Sequence, residues 1–304
     1  MISVVVPVYN ENSGVPKTIR GITQAIAGTG HDYEIIVVDD GSRDATPTVL
    51  ADMEDSVPAL RVVRFTRNFG KEAALHAGIA AARGNAIITI DADLQHPPEL
   101  IPAMLKLWES GTCMVVNAQR NSHRRAHMTR WPARMFYRIF SNLSGVDIDN
   151  QTDFKLIDRR VANAYLALEE RKLFYRALIA WLGFPTTSIQ FDPAERSHGR
   201  SKWSRMALVA TAADALASFS ARPLQAVTLL GTVFLVFSGA IGGLAIYQKA
   251  TGSAEAGFTT VILVVLISSS LLMISIGIIG KYLANIHDEV KRRPRYIENR
   301  RDGE

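Results

Sequence analysis

The chain has 304 residues, a formal net charge of +5 and a pI near 9.4. That length predicts one large domain or two smaller ones. The modest basic excess is compatible with nucleic acid, an anionic membrane surface or a phosphate-rich substrate as a partner. The single cysteine, Cys113, excludes an internal disulfide framework and fits a reducing compartment.

Strands and helices alternate over the first 120 residues, which is typical of a mostly parallel α/β sheet. We interpret segment 2–6 as a strand and not a signal peptide, because it lacks a basic start and a small-residue cleavage site. We predict further strands at 33–38, 61–65, 87–90 and 112–117. We predict helices at 14–27, at 71–82, and from a cap at Ser42 or Asp44 to about residue 53.

Polar side chains collect where the predicted strands end. They are Tyr9, Asn10 and Glu11 after the first strand, Asp39 and Asp40 after the second, Arg67, Asn68 and Lys71 after the third, Asp91 and Asp93 after the fourth, and Arg120 after the fifth. Open α/β sheets bind ligands at the carboxyl ends of their strands. The sequence therefore predicts a crevice of mixed charge, as a metal-bound diphosphate requires.

The fourth strand ends in two carboxylates, Asp91 and Asp93. Pro97 and Pro98 prevent the strand from continuing and suit the first turn of a helix. Two adjacent hard oxygen ligands favour Mg²⁺ or Mn²⁺. The alternative is a pair of aspartates that cap a turn. The usual glycine patterns of dinucleotide-binding and phosphate-binding loops are absent from the sequence.

Two apolar segments near the C-terminus, 226–247 and 258–280, contain no formal charge. At about 1.5 Å per residue, each is long enough to cross the hydrocarbon core of a bilayer. Two buried helices of a soluble protein are the alternative. The connecting loop carries only Lys249 and Glu255, whereas Arg222, Lys281 and the basic run 291–295 flank the pair. The positive-inside rule then predicts a hairpin anchor with both ends cytoplasmic.

Segment 120–138 is rich in arginine and interleaved with aromatic and other apolar residues. Nucleic acid is one possible partner for such a stretch. Arg130, Arg134 and Arg138 recur every four residues, so a helix would align them on one face and lie at an anionic membrane surface. Segment 203–221 is a second candidate for an interfacial helix.

Ordered motifs along the chain resemble those of the inverting family 2 glycosyltransferases, which have a GT-A fold and use nucleotide-sugar donors. The motifs are Val6-Pro-Val-Tyr-Asn-Glu11, Val38-Asp-Asp-Gly-Ser42, Arg67-Asn-Phe-Gly-Lys71 and Asp91-Ala-Asp-Leu-Gln95. Later segments are similar to the polyprenyl-phosphate glycosyltransferases, the group that contains dolichol-phosphate mannose synthase and bacterial undecaprenyl-phosphate glucosyltransferases. These segments are Gln151-Thr-Asp-Phe-Lys-Leu-Ile-Asp-Arg159, Arg196-Ser-His-Gly-Arg-Ser-Lys202, Arg222-Pro-Leu224 and Arg293-Pro-Arg-Tyr296. His96 departs from the pattern, since the group often has an acidic residue there.

The resemblance implies a role for each matching residue. Donor-nucleotide binding falls to Pro7, Tyr9, Glu11, Asp40, Lys71 and Asp91, metal binding to Asp91, Asp93 and Gln95, and the catalytic position to Asp153. Acceptor-phosphate binding falls to Arg120, Arg134 and Arg138, and a mobile loop over the diphosphate contains Arg196, His198, Arg200 and Lys202. Asp40 would accept a hydrogen bond from the uracil ring N–H.

The expected reaction is transfer of a hexose, with glucose from UDP-glucose preferred, to a polyprenyl phosphate at the cytoplasmic face of the inner membrane. GDP-mannose, UDP-GlcNAc and a UDP-aminoarabinose type of donor remain alternatives. A processive polysaccharide synthase would carry a Gln-x-x-Arg-Trp segment, which the sequence lacks. A non-catalytic tethered binding protein would be expected to have lost the aspartate pair. A phosphate monoester is already mostly dianionic at neutral pH, so we favour a positioning role for Asp153 over general base catalysis.

The expected organisation is a GT-A domain at 1–202, an interfacial region at 203–224 and two spans at 225–248 and 258–282. An external loop at 249–257 separates the spans, and a basic cytoplasmic tail at 283–304 follows them. A homo-oligomer is possible, and nucleic acid is not expected as a partner once the resemblance is included.

Overall fold

The computed structural model describes residues 1–93, 95–120, 151–171, 173–192, 222–252 and 258–299. The chain divides into two compact units. One contains Met1–Trp203 together with Arg293–Glu304, and the other contains Ser204–Arg292. The grouping of the last twelve residues with the N-terminal unit was not expected from the sequence, which suggested a separate basic tail.

The first unit is built on a mixed sheet of seven strands. The strands are β1 (Ile2–Val8), β2 (Tyr33–Asp39), β3 (Leu60–Arg64), β4 (Ala86–Thr89), β5 (Val115–Arg120), β6 (Gln151–Asp158) and β7 (Thr186–Phe191). Their order across the sheet is β3-β2-β1-β4-β6-β5-β7. Only β6 runs antiparallel to its neighbours, β4 and β5. The prediction of a mostly parallel α/β sheet is therefore confirmed.

Helices connect the strands and cover the sheet. They are α1 (Val15–Ala27), α2 (Thr46–Ser56), α3 (Lys71–Ala81), α4 (Ile101–Glu109), α5 (Arg159–Leu166) and α6 (Tyr175–Trp181), with a short 3₁₀ turn at Pro98–Leu100 before α4. All seven residues of β1 are buried, as expected for a central strand covered on both faces. Helix α1 buries Ile19, Ile22 and Ile26, whose spacing places them on one face.

The direction of the strands decides which residues share an edge of the sheet. Strands β1 to β5 all point the same way, because β5 is antiparallel to β6 and β6 is antiparallel to β4. The antiparallel β6 begins where the other strands end. Asp153, the third residue of β6, therefore lies at the same edge as the residues that follow β1, β2 and β4.

Some predicted boundaries are wrong by a few residues. Helix α2 begins at Thr46 after Ala45, so neither Ser42 nor Asp44 is its N-terminal cap. Ser42 instead accepts a hydrogen bond from the Asn10 N–H, and Asp44 accepts one from the Thr46 N–H. Strand β5 starts at Val115 and extends to Arg120, so Arg120 ends the strand and does not follow it.

The second unit contains two long helices, α7 (Arg222–Ala250) and α8 (Phe258–Val290), which contact each other. Within them, Val227–Ala250 and Val264–Val290 are long and apolar enough to cross a membrane. Leu235, Ile246 and Met273 are each at least 70% exposed, so the structure does not support the alternative of two buried core helices. Helix α8 extends eight residues beyond the predicted span.

Candidate active site

A cleft of about 310 Å³ opens at the carboxyl edge of the sheet. Its lining includes all six residues predicted to bind the donor nucleotide, which are Pro7, Tyr9, Glu11, Asp40, Lys71 and Asp91, together with Asp93. Pro7 lies near the end of β1, and Tyr9 and Glu11 follow it. Asp40 follows β2, Lys71 begins α3, and Asp91 and Asp93 follow β4. The topology therefore brings together residues that are up to 86 positions apart in the sequence.

Asp40 organises the loop formed by residues 67–71. Its carboxylate accepts hydrogen bonds from the Phe69 N–H at 2.6 Å and from the Gly70 N–H at 2.9 Å. Gly70 has a φ of +101°, a conformation that other residues rarely adopt. Burial raises the pKa of Asp40, although the two backbone donors oppose that rise. Asp40 thus lines the cleft and also holds the loop that forms one of its walls.

Gly41 allows the same loop to approach the end of β2. Its φ is +68°, and a Cβ at this position would lie 2.4 Å from the carbonyl carbon of Arg67. No side chain fits at that distance. Gly41 is therefore required here for close packing of the two loops, in addition to any contact of its neighbours with a ligand.

Asp91, Asp93 and His96 form a possible metal site. Their ligand atoms all lie within 4.8 Å of one another. His96 is 2% exposed, its Nδ1 lies 3.7 Å from Asp91 Oδ2, and its ring packs against Phe154 and Phe191. Two carboxylates and an imidazole suit a divalent cation. The sequence analysis noted His96 only as a departure from the family pattern.

Gln95 was predicted as the third metal ligand. It is buried, and its backbone N–H donates to Asp93 Oδ1 at 3.1 Å. That contact fixes the turn that presents Asp93. Ligation by the Gln95 side chain stays a prediction.

Asp153 lies between two cations. Arg176 donates from Nε to Asp153 Oδ1 at 2.5 Å and from Nη2 to Oδ2 at 2.8 Å. Lys71 Nζ lies 2.5 Å from Asp153 Oδ2 and 2.6 Å from Asp91 Oδ1. The four charged groups therefore alternate in sign from Arg176 to Asp91, and they connect the predicted catalytic position to the possible metal site.

This arrangement determines the protonation states of the cluster. Burial alone would raise the pKa of Asp153, but Lys71 and Arg176 outweigh burial and hold that pKa well below its usual range. Burial alone would lower the pKa of Lys71, but Asp91 and Asp153 outweigh burial and raise it. Asp153 is therefore a carboxylate with low proton affinity, which makes it a poor general base.

Arg176 is a site residue that the sequence analysis missed. It is the second residue of α6, whose Tyr175, Ala177, Leu178 and Ile179 are buried. Glu72 accepts a hydrogen bond from the Tyr175 N–H at 2.9 Å, which holds the start of α6 against the start of α3. The sequence offered one signal for Arg176, because it is the only charged residue in the apolar segment 175–181. A charged residue in a buried segment usually has a partner.

Lys155 is a buried cation on β6, the strand that carries Asp153. It is 0% exposed, and its Nζ donates to Asn117 Oδ1 at 2.6 Å and to Gln151 Oε1 at 2.7 Å. Burial lowers the pKa of Lys155 to about 7. Because alternate residues of a strand share a face, Lys155 and Asp153 point to the same side of the sheet.

The remaining predicted residues were assigned to the acceptor phosphate and to a closing loop. Arg134, Arg138, Arg196, His198, Arg200 and Lys202 lie outside the described residues. Arg120 ends β5 at the edge of the sheet where the cleft opens. The roles of these residues stay predictions.

Comparisons with known proteins agree with the geometry. A family model described as "Glycosyl transferase family 2" matches residues 3–166. An uncharacterised glycosyltransferase of Synechocystis is 37% identical over 97% of this chain and 94% of its own length. The bactoprenol glucosyl transferase of Shigella phage SfII is 34% identical over 97% of this chain and 96% of its own length. Among solved structures, a mannosyltransferase from Pyrobaculum calidifontis in complex with GDP-Man and Mn²⁺ matches with a TM-score of 0.50 and 17% identity, covering 96% of this chain and 88% of the other.

Proposed function

Because the chain belongs to glycosyl transferase family 2, we propose that it transfers glucose from UDP-glucose to a polyprenyl phosphate, with inversion at the anomeric carbon. The observation that carries the proposal is the continuous cluster from Arg176 through Asp153 and Lys71 to Asp91. In this cluster two cations, Lys71 and Arg176, lie close to the acidic pair, and both are suited to bind phosphate. The full-length similarity to a bactoprenol glucosyl transferase supports this choice of sugar and acceptor.

The donor half of the site is the cleft. Pro7, Tyr9 and Asp40 would contact the uridine, and Glu11 lies in the same lining. The diphosphate would lie toward Asp91 and Asp93, which with His96 would hold a divalent cation. That cation would supply positive charge against the diphosphate, as metal ions do in phosphate chemistry.

The acceptor half is the cationic side of the cluster. The planar fork of Arg176 and the point charge of Lys71 are both suited to a phosphate group. A lipid phosphate oxygen would attack C1 of the sugar, and the bond from C1 to the diphosphate oxygen would break as UDP leaves. Since the phosphate monoester is mostly dianionic at pH 7, the attack needs no proton removal. Asp153 would orient Arg176 and Lys71.

The apolar helices and their flanking charges support a membrane location. Two helices that could cross a membrane suit an enzyme whose acceptor is a lipid. Arg222 is the first residue of α7 and precedes its apolar segment Val227–Ala250, and basic residues follow α8. We propose that the catalytic domain and both termini are cytoplasmic and that residues 251–257 face outward.

A donor screen with the purified full-length chain tests the proposed reaction. Detergent-solubilised protein would receive undecaprenyl phosphate, Mg²⁺ or Mn²⁺ and one labelled donor at a time, from UDP-glucose, UDP-GlcNAc and GDP-mannose. We expect a labelled lipid product with UDP-glucose and none when the lipid is omitted. An Asp93→Asn variant serves as the matched inactive control. If only another donor gives a product, the proposed identity of the sugar is wrong. If no donor gives a product, the proposed reaction is wrong.

A further inference from the structure

The segment that follows α8 pairs with the edge of the sheet in the first unit. We define residues 293–299 as the C-terminal strap. The Thr66 N–H donates to the Ile297 carbonyl at 3.0 Å, and the Asn299 N–H donates to the Arg64 carbonyl at 2.7 Å. Phe65 and Glu298 form an antiparallel bridge between these bonds. The strap therefore extends the sheet beyond β3, the outermost strand on that side.

Two side chains fix the strap in place. Tyr296 stacks on Phe65, with ring centroids 4.8 Å apart and planes inclined by 15°. Arg295 donates to the carbonyls of Leu168 and Glu170 at 2.6 and 2.8 Å. Its Nη1 also lies 2.6 Å from His76 Nε2. The backbone of the strap is held as well, because Arg171 donates from its side chain to the Arg293 carbonyl at 2.7 Å.

These anchors connect directly to the loop that walls the donor cleft. Phe65, which is 1% exposed, packs edge-on against Phe69 with centroids 5.8 Å apart. Phe69 and Gly70 in turn donate their N–H groups to Asp40. A continuous series of contacts thus runs from Tyr296 through two phenylalanine rings to the carboxylate expected to read the base.

A second cavity also borders both the strap and loop 67–71. It measures about 350 Å³ and is lined by Asn68 and Gly70, which also line the donor cleft. Arg295 and Arg171 also line this cavity. Loop 67–71 is therefore a thin wall between the donor cleft and a space bordered by the strap.

We propose that the C-terminal strap is a positioning element for donor binding, with Tyr296 and Arg295 holding loop 67–71 in its nucleotide-binding conformation. The inference rests on the proposed function, since it takes the cleft beside Asp40 as the nucleotide site. It assigns a role to the Arg293-Pro-Arg-Tyr296 motif, which the reaction itself does not require. The strap touches neither the acidic pair nor Asp153 in the described contacts, so its effect falls on donor affinity.

The test compares Tyr296→Ala with Tyr296→Phe in the full-length protein. Loss of an aromatic pair changes an equilibrium constant by about 3- to 10-fold. We expect Tyr296→Ala to raise the donor KM and the Kd for UDP by about that factor, with kcat changed by less than about twofold. Tyr296→Phe keeps the ring and should behave as the wild type. Ile297→Ala is a further control, because Ile297 is 51% exposed and contributes its backbone to the pairing.

A measurement on the unmodified protein covers the case in which Tyr296→Ala does not fold. Binding linkage is reciprocal, so UDP must stabilise the strap if the strap stabilises the UDP-binding loop. We expect UDP to slow amide hydrogen exchange at residues 296–299 as well as at 67–71. Slower exchange at 67–71 alone, or an unchanged UDP Kd in a folded Tyr296→Ala, overturns this inference and leaves the proposed function intact. Wild-type protein that binds no UDP overturns both.

Discussion

Arg176 binds both carboxylate oxygens of Asp153, through Nε at 2.5 Å and Nη2 at 2.8 Å. Lys71 occupies the second oxygen as well, at 2.5 Å. A carboxylate held by two cations has lost most of its affinity for a proton. We therefore propose a geometric role for Asp153, in which it fixes the direction of Arg176 and Lys71. This relationship separates two hypotheses about Asp153 that differ in their dependence on pH.

Asp153→Asn should reduce single-turnover transfer by about 10²-fold at every pH from 5.5 to 8.5. The amide removes the charge that orients Arg176 and Lys71, and that loss does not depend on acceptor ionisation. A general base would matter most below about pH 6, where a phosphate monoester keeps its second proton. The measurement uses saturating donor and metal. A defect that shrinks steeply as the pH rises would restore the base, and no defect would leave Asp153 a structural residue.

Arg176→Lys should keep the charge but lose the two-point contact with Asp153. We expect kcat/KM for the lipid acceptor to fall about tenfold in Arg176→Lys and about 10²-fold or more in Arg176→Ala. Arg160→Ala is the matched control, because Arg160 is a 68%-exposed arginine that pairs with Asp158. Equal activity of Arg176→Lys and the wild type would contradict the prediction. It would show that a positive charge at this position is enough and that the two-point contact with Asp153 is not needed.

Several parts of this site were predictable from the sequence. Apolar β-branched runs followed by polar residues predicted where strands end, and a parallel sheet places those ends together. That reasoning correctly grouped Glu11, Asp40, Lys71 and Asp91 in one cleft. The boundaries shifted by a few residues, since hydrogen bonding to neighbouring strands, and not local composition, decides where β4 and β5 end.

The missing parts depend on pairing between distant segments. No local pattern indicates that β6 is antiparallel, yet that direction brings Asp153 into contact with Lys71, which lines the cleft. Arg176 contributes through an ion pair across 23 residues, and the strap pairs with Arg64 and Thr66 across more than 230 residues. Such contacts are properties of the folded chain. Periodicity and propensity describe only near neighbours along the sequence.

Chelation should abolish transfer, and added Mg²⁺ or Mn²⁺ should restore it, if Asp91 and Asp93 hold the cation. Asp93→Asn should cost at least about 10²-fold in rate, since it removes a principal charge at the diphosphate. Direct binding of Mn²⁺, followed by electron paramagnetic resonance without any substrate, gives a readout independent of turnover. Full activity in excess chelator would contradict the metal assignment.

His96→Ala tests whether the imidazole belongs to that metal site. Nitrogen ligands favour transition metals over Mg²⁺, so the variant should lose about tenfold in Mn²⁺ affinity and less in Mg²⁺ affinity. His31→Ala is the matched control, because His31 pairs with Glu109 away from the aspartates. An equal loss for both ions would instead indicate that His96 only supports Asp91 through packing.

The orientation of the helical pair can be tested by cysteine labelling. Cys113 is the only cysteine and is buried, so a Cys113→Ser background removes the native thiol with little surface change. A thiol reagent that cannot cross membranes should label Thr251→Cys in intact cells. It should label Gly303→Cys only after the cells are opened. Labelling of both positions in intact cells would mean that only one helix crosses the membrane.

Glu72 provides a prediction about stability and pH. Burial and then the charge of Asp153 raise the pKa of Glu72 from 4.5 to about 7. Between these two values the folded protein keeps a proton that the unfolded chain has released, so folding stability due to Glu72 falls as the pH rises through this window. The cost is complete above pH 7 and reaches at most about 3 kcal/mol, since Glu72 is only partly buried.

Glu72→Gln should remove that cost while its side-chain oxygen still accepts the hydrogen bond from the Tyr175 N–H. The melting temperature of the variant should therefore equal that of the wild type near pH 4.5 and exceed it by several degrees at pH 7.5. Tryptophan fluorescence of the detergent-solubilised chain during heating measures the difference. Glu169→Gln, at an exposed position, should show no such trend. A difference that is constant with pH, or that grows toward acid, would mean that Glu72 is ionised in the folded protein throughout and that Lys71 and Arg176 outweigh its burial.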